Sequence, residues 1–337
     1  MPSQMFAKSP SLDPPHSMQC MEIWGGNRSA DNGVVMPGLD VWVYARPYDE
    51  DERTGDSDRA GGDVHFVSSC GTGRIARLML ADVAGHGTKV AAVASGLRTL
   101  MRRYMNYLDQ TTFVEALNRA FTDAESGGGR FATSLAMTYF APTARLDVCN
   151  AGHPRPLRYR AHERRWELLE ARGGVGTPTD DIKNLPLGIL EPTRYEQFGV
   201  GLRKGDLILA YTDAVNEART VDGRMLGEEG LVSMLQELDA RTPDALIPTI
   251  LERLDHFRNH APADDDVTLL LMRHNGTAVQ APLLRRLAAS VRFLGAIARN
   301  LVPIGTRQPI PWPEFRAENL LGAFIPKIGK RWSAKDR

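Results

Sequence analysis

Apolar residues along the chain alternate at first, then switch to helical spacing, then alternate again. Leu39 to Tyr44 (LDVWVY) alternates and is aromatic, which predicts a strand. Gly61-Gly62-Asp63 opens a second strand, VHFVSSC, and the turn Gly71-Thr72-Gly73 leads into a third, RIARLMLADV, ending at Asp82. The period then changes. Val90, Val93, Leu97, Leu100, Tyr104 and Leu108 recur at helical spacing, so a helix is expected over 88–107. A second helix is expected from Thr112, where Thr112-Phe113-Val114-Glu115 has the form of a capping box, to the residue before Ser126-Gly127-Gly128-Gly129. Strands follow at 131–140 and 144–151. Region 160–200 reads as short strands and a long loop, and LILAYTD (207–213) as a buried strand. Leu231 to Leu238 reads as helical. Thr242-Pro243 starts a further helix, which Pro248 should kink or shift, and DVTLLLM (266–272) closes the pattern as a strand.

Strands, two helices, many strands, helices and a last strand make an α+β order, not a βαβ repeat. The fold class expected is a mostly antiparallel β-sandwich core flanked by helices. Residues 1–36, rich in Pro, Ser, Gly and Asn, read as a flexible N-terminal arm, 37–275 as one catalytic domain, and 280–337 as a separate tail. With 42% apolar and 24% charged residues and no run of membrane-spanning length, the chain reads as a soluble globular protein. The N-terminus lacks the apolar core of a signal peptide, so a cytoplasmic location is expected. Cys20, Cys70 and Cys149 are scattered, which argues against zinc and a disulfide framework.

Zero net charge hides an asymmetry. Residues 280–337 hold 11 Lys/Arg and 3 Asp/Glu, so the first 279 residues are acidic by the same margin. In the tail, Leu284, Leu287, Val291, Leu294, Ala298 and Leu301 form an apolar helical stripe beside Arg285, Arg292 and Arg299. Such a helix over 281–301 would dock on the acidic body, or contact a partner protein or an anionic membrane surface. No nucleic-acid partner is expected.

Four aspartates share one placement. Asp63 and Asp265 stand at strand starts, Asp82 and Asp213 at strand ends. Asp is common in turns, so each alone is weak. Strand ends, however, converge on one rim of a sheet core, where carboxylates repel unless a cation neutralises them. Oxygen ligands without Cys/His clusters favour Mg²⁺ or Mn²⁺.

The residues around these aspartates carry a resemblance. Asp82-Val83-Ala84-Gly85-His86-Gly87 resembles the D-x-x-G-H-G signature of bacterial protein phosphatase 2C-like (PPM-type) serine/threonine phosphatases, and more narrowly of the stage II sporulation protein E subfamily. In that family's order also fall Gly61-Gly62-Asp63, Asn150-Ala151-Gly152-His153-Pro154, Leu185-Pro186-Leu187-Gly188, Tyr211-Thr212-Asp213-Ala214-Val215-Asn216-Glu217 and Asp265-Asp266-Val267-Thr268. The resemblance implies two Mn²⁺ or Mg²⁺ ions: Asp82 bridging both, the Val83 carbonyl adding an oxygen, Asp63 serving the second ion, and Asp213 and Asp265 the first. It implies hydrolysis of phosphoserine or phosphothreonine on a regulatory protein such as an anti-sigma-factor antagonist. His86 has the titration range of a general acid, but its spacing from Asp82 favours a supporting role. His65 and His153 read as strand and turn residues. The helices after the signature are implied to reposition the metal-binding loop, and fewer than one domain's worth of residues precedes Gly61, so no sensor domain is expected.

Two departures stand out: Val64-His65-Phe66-Val67 lacks the acidic residue often found three positions after Asp63, and Ala214 replaces a glycine. The first keeps open a catalytically weak or inactive phosphatase fold serving as a scaffold. A two-metal phosphodiesterase is disfavoured because such sites use clustered histidines.

Overall fold

The computed structural model describes residues 20–48, 59–70, 72–85, 87–107, 109–125, 129–171 and 183–277. The predicted tail, including 281–301, lies outside them. Two antiparallel six-stranded sheets pack face to face. One runs β1 (Cys20–Arg28), β4 (Ala60–Cys70), β5 (Ile75–Val83), β6 (Ala132–Phe140), β7 (Arg145–Ala151), β10 (Gln197–Gly201). The other runs β2 (Ala30–Met36), β3 (Leu39–Arg46), β12 (Val267–His274), β11 (Leu207–Tyr211), β8 (Leu157–Arg160), β9 (Arg165–Leu168).

Side-chain alternation divides the interior into layers. On β5, Leu78 and Leu80 meet Val41 and Val43 of β3 and Leu270 of β12 between the sheets. Met79, Ala81 and Val83 point the other way, onto α1 (Thr88–Tyr104) and α2 (Gln110–Ala124). The outer face of the second sheet, with Leu209, Leu269 and Leu271, is covered by α3 (Asp213–Asn216), α4 (Gly227–Gln236) and α5 (Pro243–Phe257). The result is helix–sheet–sheet–helix, with strands that are apolar on both faces because both faces are covered.

Residues 20–36 are a correction to the expected arm. They form β1, which pairs with β4, and β2, which pairs with β3. Both are edge strands. The half-exposed pattern of β2 and the glycines Gly25 and Gly26 of β1 leave little hydrophobic alternation to read. A second correction concerns α2. Its cap is Asp109, whose carboxylate accepts from the Thr112 amide at 2.8 Å, so the helix begins at Gln110 and not at Thr112. Pro243 occupies the first turn of α5 as expected, and Pro248 sits within a helix that continues to Phe257. Cys70 and Cys149 are free thiols.

Arg77 is a fully buried cation of the first sheet. It donates to Thr138 Oγ1 and to the carbonyls of Met105 and Tyr107 at the end of α1, and lies 4.7 Å from the Phe113 ring centroid. Gln110 continues this network to Thr138 and the Ala136 carbonyl. The α1–α2 turn is thereby fixed to the sheet by charge-assisted hydrogen bonds as well as by apolar contact.

Candidate active site

The acidic site stands at one end of the gap between the sheets. Asp63 and Asp82 are direct partners in the β4–β5 register. Alternation puts Asp82 on the face that carries Leu78 and Leu80, one slot further along. From the opposite sheet, β11 delivers Asp213 at the start of α3, and Asp265 and Asp266 enter β12. Asp213 and Asp265 line a small recess of about 120 Å³ with Ala214, Glu217, Arg219 and Asp264.

Asp266 ties the two sheets together. Its carboxylate accepts from the amides of Tyr48 at 2.6 Å, Gly62 at 2.5 Å and Asp63 at 3.2 Å. A side chain at Gly61 would collide with that carboxylate, and one at Gly62 would lie 3.0 Å from the Val83 carbonyl oxygen, so this approach requires glycine. Thr212 is the second tie. Its hydroxyl donates to Asp63 Oδ2 at 2.8 Å and accepts from the Thr268 amide at 2.9 Å. After Asp82 the chain turns into α1 through Gly85 and Gly87, both at positive φ (103° and 91°).

The electrostatics are those of crowded carboxylates. Burial, then the charges of Asp82 and Asp266, hold Asp63 well above the ordinary carboxylate range. Burial, then Asp213, Asp265 and Asp266, push Asp82 up to about 7. Asp213 is raised by burial and by Glu217, and Asp265 by burial and by Asp213, Asp266 and Asp264. A set of acids that raise one another's proton affinity is a set that a cation would relieve, and its donors are all oxygen. Among the described residues, no group of three or more such side chains is gathered closely enough to hold a metal ion as it stands. The aspartates are neighbours across a cleft, not a closed cage.

Asp63, Asp82, Asp213 and Asp265 are thus brought to one place, with the Val83 carbonyl facing Gly62 beside them. His86 lies outside the described residues. His153 belongs to a turn: Asn150 accepts from its amide at 2.7 Å and donates to its carbonyl at 2.8 Å, while its Nδ1 meets Thr133 Oγ1 at 2.8 Å. Burial lowers its pKa to about 3, and burial followed by Arg98 lowers that of His65 to about 4, so both are neutral packing residues. Asp266 and Thr212 were not among the candidate site residues. Both stood inside the quoted strings, Thr212 before Asp213 and Asp266 after Asp265, but no role was assigned to either.

This architecture and rim of aspartates define a PP2C-like, PPM-type phosphatase fold. The sequence profile described as Stage II sporulation protein E (SpoIIE) matches residues 72–275, and the chain belongs to that family. Phosphoserine phosphatase RsbU of Bacillus subtilis (strain 168) is 28% identical over 226 residues, spanning 64% of this chain and 59% of that relative. The crystal structure of the RsbU and RsbW domains of a Mycobacterium tuberculosis protein is similar at 25% identity and a TM-score of 0.59, covering 81% of this chain and 72% of that one. The PP2C domain of SiaA from Pseudomonas aeruginosa shares the fold at 16% identity and a TM-score of 0.55, covering 69% and 85%. Among the described residues no helix is long and apolar enough to cross a membrane.

Proposed function

We propose that the chain is an active, metal-dependent phosphatase that hydrolyses phosphoserine or phosphothreonine on a regulatory protein in the cytoplasm. The observation that carries this reading is the convergence of Asp63 and Asp82 from one sheet with Asp213 and Asp265 from the other. Asp82, central to that set, would contact two Mn²⁺ or Mg²⁺ ions. Asp63 and the Val83 carbonyl would complete one ion's protein ligands, and Asp213 and Asp265 the other's. Bound there, the ions would neutralise phosphoryl oxygens and lower the pKa of a water.

The chain's own residues do the rest. The Thr212 hydroxyl, donating to Oδ2, orients the Asp63 carboxylate. Asp266 spends its acceptors on three backbone amides, so it aligns the Gly61–Asp63 segment across the gap. The RsbU relative, a phosphoserine phosphatase, supports a phosphoserine protein as substrate, and an anti-sigma-factor antagonist fits the class. The test is hydrolysis of a phosphoserine peptide and of p-nitrophenyl phosphate with Mn²⁺ and with chelator. Turnover that needs the cation is expected. No turnover under any divalent cation would favour an inactive fold acting as a scaffold.

A further inference from the structure

Among the described residues, Arg219 is the one cation lining the acidic recess, where Asp213, Glu217, Asp264 and Asp265 are its neighbours. Opposite charges so placed ordinarily pair. Yet among the described residues no carboxylate lies within ion-pair distance of this guanidinium. Its hydrogen bonds go to the Gly223 carbonyl at 3.2 Å and to Met225 Sδ at 3.7 Å. Both acceptors are uncharged, and they occupy two of its five N–H donors. The side chain is exposed, so the unused donors face water at no desolvation cost.

The turn that carries Arg219 has backbone hydrogen bonds of its own besides the contacts of that side chain. Thr220 N donates to the Arg224 carbonyl at 3.0 Å, Gly223 N to the Thr220 carbonyl at 2.8 Å, and Leu226 N to the Ala218 carbonyl at 2.9 Å. Arg224 N adds a bond to Thr220 Oγ1 at 3.1 Å. A long, exposed side chain thus stands on an ordered turn beside a recess of about 120 Å³, held only by contacts to its own turn.

We propose that Arg219 binds the phosphate of the substrate and sets its orientation, a reading that rests on the phosphatase function proposed above. Cations in the recess would take up the carboxylate oxygens, which already lack a bond to Arg219. The planar guanidinium then faces the remaining phosphoryl oxygens, which it matches through two parallel N–H···O bonds. A lysine would supply charge without the fork.

The experiment uses the full chain loaded with Mn²⁺, as wild type, Arg219→Ala and Arg219→Lys. Inorganic phosphate is titrated calorimetrically, and KM and kcat are measured on a phosphoserine peptide. For Arg219→Ala, phosphate affinity falls about 10–100-fold, as for the loss of hydrogen bonds to a charged group, and KM rises with it. Arg219→Lys recovers part of both. The Mn²⁺-induced rise in melting temperature stays at the wild-type value in both variants. Unchanged phosphate affinity and KM in Arg219→Ala overturn the proposal, and so does a weakened Mn²⁺ response, which would place the effect at the metal ligands. Failure of the underlying function looks different: the wild type itself would neither bind phosphate in the presence of Mn²⁺ nor turn over peptide.

Discussion

Leu80 and Asp82 stand two residues apart on one strand and on one face of it, yet they do opposite things to the fold. Leu80 is fully buried between the sheets among Val41, Val43 and Leu270, where removal from water stabilises the sandwich. Asp82 occupies the next slot of the same face, where burial and then Asp213, Asp265 and Asp266 from the opposing sheet raise its pKa. The interior of the sandwich is self-sufficient. Its acidic end is incomplete without positive charge, and the same strand spacing produces both.

The largest expected effect comes from converting the acidic end toward the neutral middle. Asp82→Asn should abolish Mn²⁺-dependent hydrolysis of a phosphoserine peptide while the far-ultraviolet circular dichroism spectrum stays that of the wild type. Leu80→Ala probes the other region. It should lower unfolding free energy by about 2–5 kcal/mol in denaturant titration, with residual activity per folded molecule retained. Thr212→Val removes the hydroxyl that orients Asp63 and should cost about 10–100-fold in Mn²⁺ affinity or activity, less than loss of Asp82 itself. A Thr212→Ser variant should recover most of this.

The smallest effect separates two limbs of a pH profile. His65 and His153 have pKa values in the fold of about 4 and about 3, below their ordinary 6.5. The stability they contribute is present above 6.5 and is lost as pH falls from there toward those lowered values. Asp82 runs the other way. Its pKa is raised to about 7, so its contribution is present below the ordinary carboxylate range and is lost as pH rises through about 7. The acid limb should therefore shrink in a His153→Asn variant, and the alkaline limb in Asp82→Asn.

The same contrast explains what could be read from the sequence. The interior strands announced themselves: VHFVSSC, RIARLMLADV and LILAYTD are apolar on both faces because helices cover the outside of each sheet. The four aspartates were legible because each sits where such a run starts or stops, and because of the strings around them. The edge strands over 20–36 were not, since an edge needs backbone partners more than apolar alternation. Asp109 was overlooked as the cap of α2 because Thr112 and Glu115 imitate a capping box one turn too late. Asp266 and Thr212 act through hydrogen bonds to residues more than 140 positions away, and no local pattern encodes such a distance.

The most direct measurement follows the melting temperature of the wild type and Asp82→Asn between pH 5 and 9, with chelator and with saturating Mn²⁺. Burial of Asp82, together with repulsion from the neighbouring aspartates, predicts that the metal-free wild type loses stability relative to Asp82→Asn as pH rises through about 7. It further predicts that Mn²⁺ restores the wild type far more than the variant. Parallel curves for the two proteins, with the same response to Mn²⁺, would contradict the account.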